Sequence, residues 1–211
     1  MKIEIWSDIM CPFCYIGKRQ LETALAQFPN HEFIIEWKSF QLDPSITPQA
    51  DKDVYTFLAE RKGISVEQSV EMHKSVVERA KSVGLEYHFD KAIISNSLNA
   101  HRIIQLAKTK NVGEEMEEIF FKAYFTDGRD LNNDLTLIEL ALQAGLNSEE
   151  VQEVLQNEGL FLKEVNADID EAREIGVQGV PFFVFDRKYA VSGAQPVETF
   201  VQTITEVQNN S

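Results

Sequence analysis

The chain of 211 residues contains two cysteines, Cys11 and Cys14, spaced three positions apart. Side chains at positions i and i+3 lie on one face of a helix, so the two sulfur atoms can close a small disulfide ring. An alternating apolar run precedes the pair and a segment with helical spacing follows it to about residue 28. This pattern predicts a strand, a tight turn and a helix that begins at Cys11. The chemistry it favours is reversible thiol–disulfide exchange.

The helix start predicts different roles for the two cysteines. Free N–H groups and the positive end of the helix dipole favour a thiolate in the first turn, so Cys11 is the predicted nucleophile. Cys14, one turn further in, is predicted to be more buried and to act as the resolving thiol. Pro12 suits the first helical position because it has no N–H to leave unpaired and its φ is already helical.

Other uses of a cysteine pair fit the sequence less well. A structural zinc site needs about four ligands, no second cysteine pair is present, and the four histidines are scattered without ligand spacing. A structural disulfide across two residues would constrain little, because its stabilising effect grows with loop length. We therefore predict a redox pair that needs no metal and no organic cofactor, with inert thiols as the alternative.

The charge and hydropathy of the chain limit its partners. The formal net charge is −14, from 34 acidic and 20 basic residues, which disfavours nucleic acid as a partner. No apolar run approaches the roughly 18 residues of a membrane span. Glu4 and Asp8 interrupt the apolar run at the start, so we expect no signal peptide. The expected location is cytoplasmic, where a CxxC pair is more often catalytic than structural.

Periodicity divides the chain into three segments. Residues 1–45 read as a β–α–β unit that contains the CxxC pair. Residues 46–160 show helical periodicity, with a capping-box pattern from Ser65 to Gln68 and an aromatic stripe on residues 120–125 that we assign to the core. Residues 161–211 read as a helix, a β-hairpin and a C-terminal helix. The predicted fold is α/β, with a domain in two parts and a large all-α insertion between them.

This organisation resembles a thioredoxin fold with a helical insertion, as in the DsbA family. Residues 6–17 look like the active-site signature of its FrnE-like branch, and further stretches agree in order, at residues 96–102, 123–130, 176–181 and 192–196. The resemblance implies a thiol–disulfide oxidoreductase whose substrate is a disulfide or dithiol, either a protein or a small molecule. Glutathione is a candidate redox partner.

The resemblance also implies site residues. It assigns Pro181 as a catalytic cis-proline that faces the disulfide and exposes the backbone of Val180 beside Cys11, where an extended substrate segment could pair as an added strand. From the residues alone, Pro181 could equally begin an edge strand. The resemblance places Asn96 and His101 near a substrate groove; the alternative for His101 is a hydrogen-bonded helix histidine.

Two residues beside the cysteines invite further predictions. Asp8 could relay a proton, raise the pKa of a nearby thiol by like-charge repulsion, or cap the turn. Phe13 stands where some relatives carry histidine; it removes an imidazolium that would stabilise the thiolate, so we predict a less oxidising pair than in a CPHC protein. The predicted substrate-binding residues are Pro12, Phe13, Val180, Asp8, Asn96 and His101.

Two other function classes stay open. Relatives with serine in place of Cys11 act with glutathione, as kappa-class transferases and hydroxychromene-carboxylate isomerases, and such an isomerase or transferase is the second hypothesis. The third is a non-enzymatic chaperone or binding module. The oligomeric state is open, and a dimer formed through the helical insertion is one option.

Overall fold

The structure is a computed structural model that describes residues 1–49 and 52–210. Its elements in chain order are β1 (Lys2–Ser7), α1 (Pro12–Leu25), β2 (Ile34–Ser39), α2 (Val54–Lys62), α3 (Val66–Lys81), α4 (Leu98–Thr109), α5 (Gly113–Phe125), α6 (Asp134–Gln143), α7 (Ser148–Gln156), α8 (Leu162–Glu174), β3 (Phe182–Phe185), β4 (Tyr189–Ser192) and α9 (Val197–Asn209). Ala50, Asp51 and Ser211, which fall inside the predicted segments, lie outside the described residues.

These elements form two compact units. The first, which we call the two-part unit, contains Met1–Leu42 and the chain from Leu162 onward. The second, which we call the helical unit, is the continuous segment Asp43–Phe161. The predicted fold class is confirmed, because all four strands of the described chain belong to the two-part unit and the segment between its parts is helical.

The two-part unit is built on a four-stranded mixed sheet in the order β2-β1-β3-β4. β1 pairs parallel with β2 and antiparallel with β3, and β3 and β4 form an antiparallel hairpin. Helix α9 packs against α1, β3 and β4, whereas α8 packs against β2. The rings of Phe183 in β3 and Phe200 in α9 meet edge to face, with centroids 4.9 Å apart. The sheet therefore has one side that faces α1 and α9 and another that faces α8.

The α8 side of the sheet carries a partly buried ionic network. Lys38 Nζ lies 2.9 Å from Glu36, 3.3 Å from Asp168 and 3.3 Å from Glu171. Burial raises the pKa of Glu36, but hydrogen bonds from Lys2 and Lys38 outweigh it and lower the pKa to about 2. Asp168 is buried, so the loss of Lys38 would leave a buried carboxylate without its nearest cation. The network therefore holds α8 on the sheet.

The helical unit has an aromatic core and one buried arginine. The aromatic residues of α5 assigned to the core from sequence are buried, namely Phe120, Phe121, Tyr124 and Phe125. Arg102 is 2 % exposed, and its guanidinium donates to backbone carbonyls at the end of α7 and just beyond it, those of Val154, Asn157 and Leu160. These bonds satisfy carbonyl groups that a helix end leaves without partners.

No helix in the described part of the chain combines the length and the apolar character that a membrane crossing would need.

Gly17 lies where α1 approaches the start of β3. A Cβ atom at this position would stand 3.0 Å from Pro181 Cγ, 3.1 Å from Phe183 Cζ and 3.6 Å from Ala194 Cα. Phe183 is fully buried and Pro181 is buried, so neither ring has free space into which it can move. The absence of a side chain at Gly17 thus sets the distance between α1 and Pro181.

We expect Gly17→Ala to lower the free energy of unfolding by about 1 kcal/mol, because an overpacking cost of about 1–3 kcal/mol exceeds the helix-propensity gain of up to about 1 kcal/mol. Urea denaturation followed by circular dichroism measures this. Gly179→Ala is the matched control, since nothing lies within 4 Å of a Cβ there and its stability should not fall. A Gly17→Ala protein as stable as the wild type would contradict the packing argument.

Candidate active site

Cys11 is the N-cap residue of α1, and Pro12 is the first residue of the helix. The backbone of Cys11 is extended, with φ −91° and ψ 110°, and its side chain makes no capping hydrogen bond. Serine, threonine, aspartate or asparagine usually fills this position and accepts an N–H of the first turn. The Cys14 N–H, in the first turn, donates to the backbone carbonyl of Cys11 at 3.0 Å. The Cys11 sulfur lies at the positive end of the helix dipole, and the thiolate expected there stays a prediction.

The turn before the helix is held by backbone and carboxylate hydrogen bonds. Cys11 N–H donates to the carbonyl of Asp8 at 2.9 Å. The Asp8 side chain is buried; its Oδ1 accepts from Met10 N–H at 3.1 Å and its Oδ2 from Leu42 N–H at 2.7 Å. Of the three roles considered for Asp8, these bonds belong to the capping role, and its part in binding substrate stays a prediction.

The two thiols are free and both are buried. Cys11 is 3 % exposed and Cys14 1 %, so the expected contrast in burial between them is slight. Burial raises the pKa of the Cys14 thiol well above its usual value, and the neighbouring Cys11 raises it further. The backbone of Asp8 and the hydroxyl of Ser7 lower this pKa, but by less. Cys14 is therefore a neutral thiol near pH 7.

The segment before β3 meets the cysteine pair. The Val180–Pro181 peptide bond is cis, which confirms the geometry that the family resemblance implied. Cys11 Sγ lies 3.5 Å from the carbonyl oxygen of Val180, within reach of a weak S–H hydrogen bond. The carbonyl of Pro181 accepts from Gly193 N–H at 2.8 Å, which fixes this segment to the loop after β4. Residues 169 positions apart in sequence thus form one site.

The immediate neighbours of Cys11 form an uncharged rim. Pro12, Phe13 and Val180 are each partly exposed. All three were predicted to bind substrate, and the contact between Cys11 and Val180 places Val180 beside the Cys11 sulfur. An apolar or backbone-pairing segment of a substrate is the ligand that such a rim suits.

Asn96 and His101 belong to the helical unit. Asn96 Nδ2 donates to the carbonyls of Pro44 and Ile46, at 3.2 and 2.9 Å, and its Oδ1 accepts from Leu98 N–H at 2.9 Å. These bonds tie the start of the helical unit to α4. His101 is fully buried in α4. The role of both residues in binding substrate stays a prediction.

Sequence reasoning missed Ser7, the last residue of β1. Ser7 is fully buried, and its hydroxyl lowers the pKa of the Cys14 thiol. The signal was the strand alternation, which places Ser7 on the same side of the sheet as Ile3 and Ile5. Among residues 1–49 and 52–210, no group of three or more His, Cys, Asp or Glu side chains is arranged to hold a metal ion.

Several known proteins are similar to this chain in sequence or in fold. The probable DsbA oxidoreductase SCO1869 from Streptomyces coelicolor is 40 % identical, with a TM-score of 0.93 over 100 % of this chain and 91 % of that one. The cytosolic disulfide reductase DsbM from Pseudomonas aeruginosa is 15 % identical, with a TM-score of 0.69 over 99 % of both chains, and shares the fold. The uncharacterized protein YwbO of Bacillus subtilis (strain 168) is 24 % identical over 207 residues, 98 % of this chain and 96 % of that one.

The family model described as the DSBA-like thioredoxin domain matches residues 2–205, nearly the whole chain. The mixed sheet, the CxxC pair at the start of α1 and the cis-proline before β3 are in accord with that match. The chain therefore belongs to the DSBA-like thioredoxin domain family.

Proposed function

We propose that the protein is a dithiol–disulfide oxidoreductase in which Cys11 is the nucleophile and Cys14 the resolving thiol. The observation that carries this proposal is the position of Cys11, at an N-cap without a side-chain acceptor and 3.5 Å from the carbonyl oxygen of Val180. A sulfur at this position is next to helix N–H groups that stabilise negative charge.

The reaction proceeds through a mixed disulfide. The Cys11 thiolate attacks one sulfur of a substrate disulfide, forms a bond to it and releases the other sulfur as a thiolate. Cys14 then loses its proton to solvent and attacks Cys11 Sγ, which releases the second substrate thiolate. The Cys11–Cys14 bond forms, two electrons pass to the substrate, and solvent protonates the released thiolates. The reverse sequence transfers a disulfide outward.

Val180 and Pro181 align the substrate in this proposal. The backbone of Val180 lies beside Cys11, and an extended segment paired with it would bring its own sulfur to the nucleophile. The partly exposed rings of Pro12 and Phe13 complete an uncharged contact surface. This surface suits a disulfide in an apolar protein segment or in a small molecule, and glutathione is the proposed redox partner.

The proposed location is the cytoplasm and the proposed branch is the FrnE-like one. The location rests on the sequence argument for a catalytic CxxC pair and on the fold shared with a protein named a cytosolic disulfide reductase. The branch rests on the resemblance of residues 6–17 to its active-site signature.

Equilibration in glutathione redox buffers tests the reaction. We expect wild-type protein to lose both thiols in one cooperative transition, because the two sulfurs form a bond with each other. Cys14→Ser should accumulate a mixed disulfide with glutathione on Cys11. Cys11→Ser should react about 100-fold more slowly than wild type, because the pKa of the remaining Cys14 thiol is raised and little of it is thiolate. Acid quenching, alkylation and mass spectrometry count each species.

The same samples separate the competing function classes. The proposal fails if the two thiols never bond to each other at any potential. Isomerase or transferase activity with glutathione that persists in Cys11→Ser would indicate the second hypothesis. Suppression of client aggregation by the double variant without either cysteine would indicate a binding module.

The residue between the cysteines should tune the reduction potential. We expect Phe13→His to make the pair more oxidising by on the order of 30 mV, equal to about 1.4 kcal/mol, because an imidazolium beside Cys11 stabilises its thiolate. The shift should be larger at pH 6 than at pH 8, since a histidine with an ordinary pKa of about 6.5 loses its charge between them.

Phe13→Leu is the control, because it alters the size of the side chain without adding charge. Titration of each variant against glutathione gives its midpoint potential. Equal shifts for leucine and histidine, or a shift independent of pH, would show that the charge is not the cause.

A further inference from the structure

Ser7 ends β1 on the side of the sheet that faces α1. Ser7 is fully buried, and the parallel register places it opposite Ser39 of β2. Its backbone carbonyl accepts from Phe40 N–H at 2.9 Å, so the strand pairing holds the residue in place. The side chain has no freedom to reach solvent.

The hydroxyl of Ser7 is a buried polar group whose hydrogen-bonding capacity is unused. Within residues 1–49 and 52–210, Ser7 Oγ has no hydrogen-bond partner of normal geometry. Leaving a buried hydroxyl unpaired lowers the stability of a folded protein, so such a group needs a physical explanation. A hydrogen-bond acceptor that becomes available only during the reaction would explain why the Ser7 hydroxyl is unpaired.

Ser7 and Cys14 are both buried on the α1 side of the sheet. The Ser7 hydroxyl and the Asp8 backbone both lower the pKa of Cys14, against the larger effects of burial and of Cys11, which raise it. The hydroxyl therefore lies within range of this sulfur. A neutral thiol is a weak acceptor, but a thiolate is a strong one, and the hydroxyl hydrogen can rotate toward it.

We propose, resting on the dithiol mechanism above, that Ser7 is a catalytic residue of the resolving step, whose hydroxyl donates a hydrogen bond to the Cys14 thiolate. In that step the Cys14 thiol gives its proton to solvent, and its sulfur attacks Cys11 Sγ of the mixed disulfide. The Cys11–Cys14 bond forms as the bond from Cys11 to the substrate sulfur breaks. The substrate leaves as a thiolate, reduced by the electron pair, and is protonated by solvent.

The charged groups on the elements around Cys14 are engaged elsewhere. Lys18 of α1 pairs with Glu22, and the Asp8 carboxylate accepts backbone N–H groups. Glu4 of β1 lies on the α8 side of the sheet, where it pairs with Arg187. The acidic residues of α9, the helix packed on α1, are exposed, namely Glu198 and Glu206. Ser7 is therefore a side-chain donor placed to serve the resolving sulfur, whereas these charged groups are held by other partners or exposed.

Rapid mixing of reduced protein with excess oxidised glutathione tests the proposal. Acid quenching and mass spectrometry separate the mixed disulfide on Cys11 from the internal disulfide at each time point. We expect Ser7→Ala to form the mixed disulfide at the wild-type rate and to resolve it about tenfold more slowly at pH 7, because one pKa unit changes the thiolate fraction tenfold. The curve of resolution rate against pH should shift to higher pH by about one unit, and the rates of the two proteins should converge at high pH.

Three companion measurements separate this role from a structural one. Ser39→Ala removes the hydroxyl on the neighbouring strand and should resolve at the wild-type rate. Ser7→Gly provides a second protein without the hydroxyl and should be as slow as Ser7→Ala. The free energy of unfolding of Ser7→Ala should equal or exceed that of the wild type, because the substitution removes an unpaired buried hydroxyl.

Resolution by Ser7→Ala within twofold of the wild type, with an unchanged pH profile, would overturn the proposal. Equal slowing by Ser39→Ala, or a marked loss of stability in Ser7→Ala, would assign the effect to packing and also overturn it. Failure of the wild type to form any mixed disulfide is a different result, since it would contradict the dithiol mechanism itself.

Discussion

The start of α1 has to meet two opposing physical demands. Its first-turn N–H groups need an acceptor, and the proposed function needs the sulfur of Cys11 to remain reactive. A serine or aspartate at the N-cap would satisfy the N–H groups permanently, with a gain of about 1 kcal/mol in stability. Cys11 makes no side-chain bond of this kind, so its sulfur stays at the positive end of the helix dipole. The rest of the two-part unit holds this helix end in one place.

Close packing between distant parts of the chain provides that support. The lack of a side chain at Gly17 lets α1 approach Pro181 and Phe183, and Cys11 thereby meets the carbonyl of Val180. The Asp8 carboxylate ties the turn before the helix to the chain that follows β2. Cys11, the helix that it begins and the segment of Val180 are consequently held by contacts from both parts of the unit.

The two sides of the sheet bury polar groups by different means. On the α8 side, carboxylates such as Glu4 and Asp168 are offset by Lys38 and Arg187, so each buried charge has a partner. On the α1 side, the surroundings are mainly apolar, and the hydroxyl of Ser7 and the thiol of Cys14 are buried together. A charge created on that side has few groups to stabilise it, which is why burial is the main cause of the raised pKa of Cys14.

Local patterns in the sequence determined the elements and the chemistry of the cysteine pair. The alternation of residues 2–7, the CxxC spacing and the capping box at Ser65 each involve neighbouring residues, and the structure contains all three features. The predicted end of α1, near residue 28, was wrong by about three residues, since the helix ends at Leu25. Tertiary structure alone decided the burial of Cys11, the ion pairs of Lys38 and the pairing state of the Ser7 hydroxyl. From sequence alone an X–Pro bond is expected to be trans, so the cis bond at Pro181 followed from the family resemblance and the fold rather than from local preference. The contact of Cys11 with Val180 and the ion pair of Lys38 with Asp168 join residues more than a hundred positions apart, and no local propensity encodes which distant groups will meet.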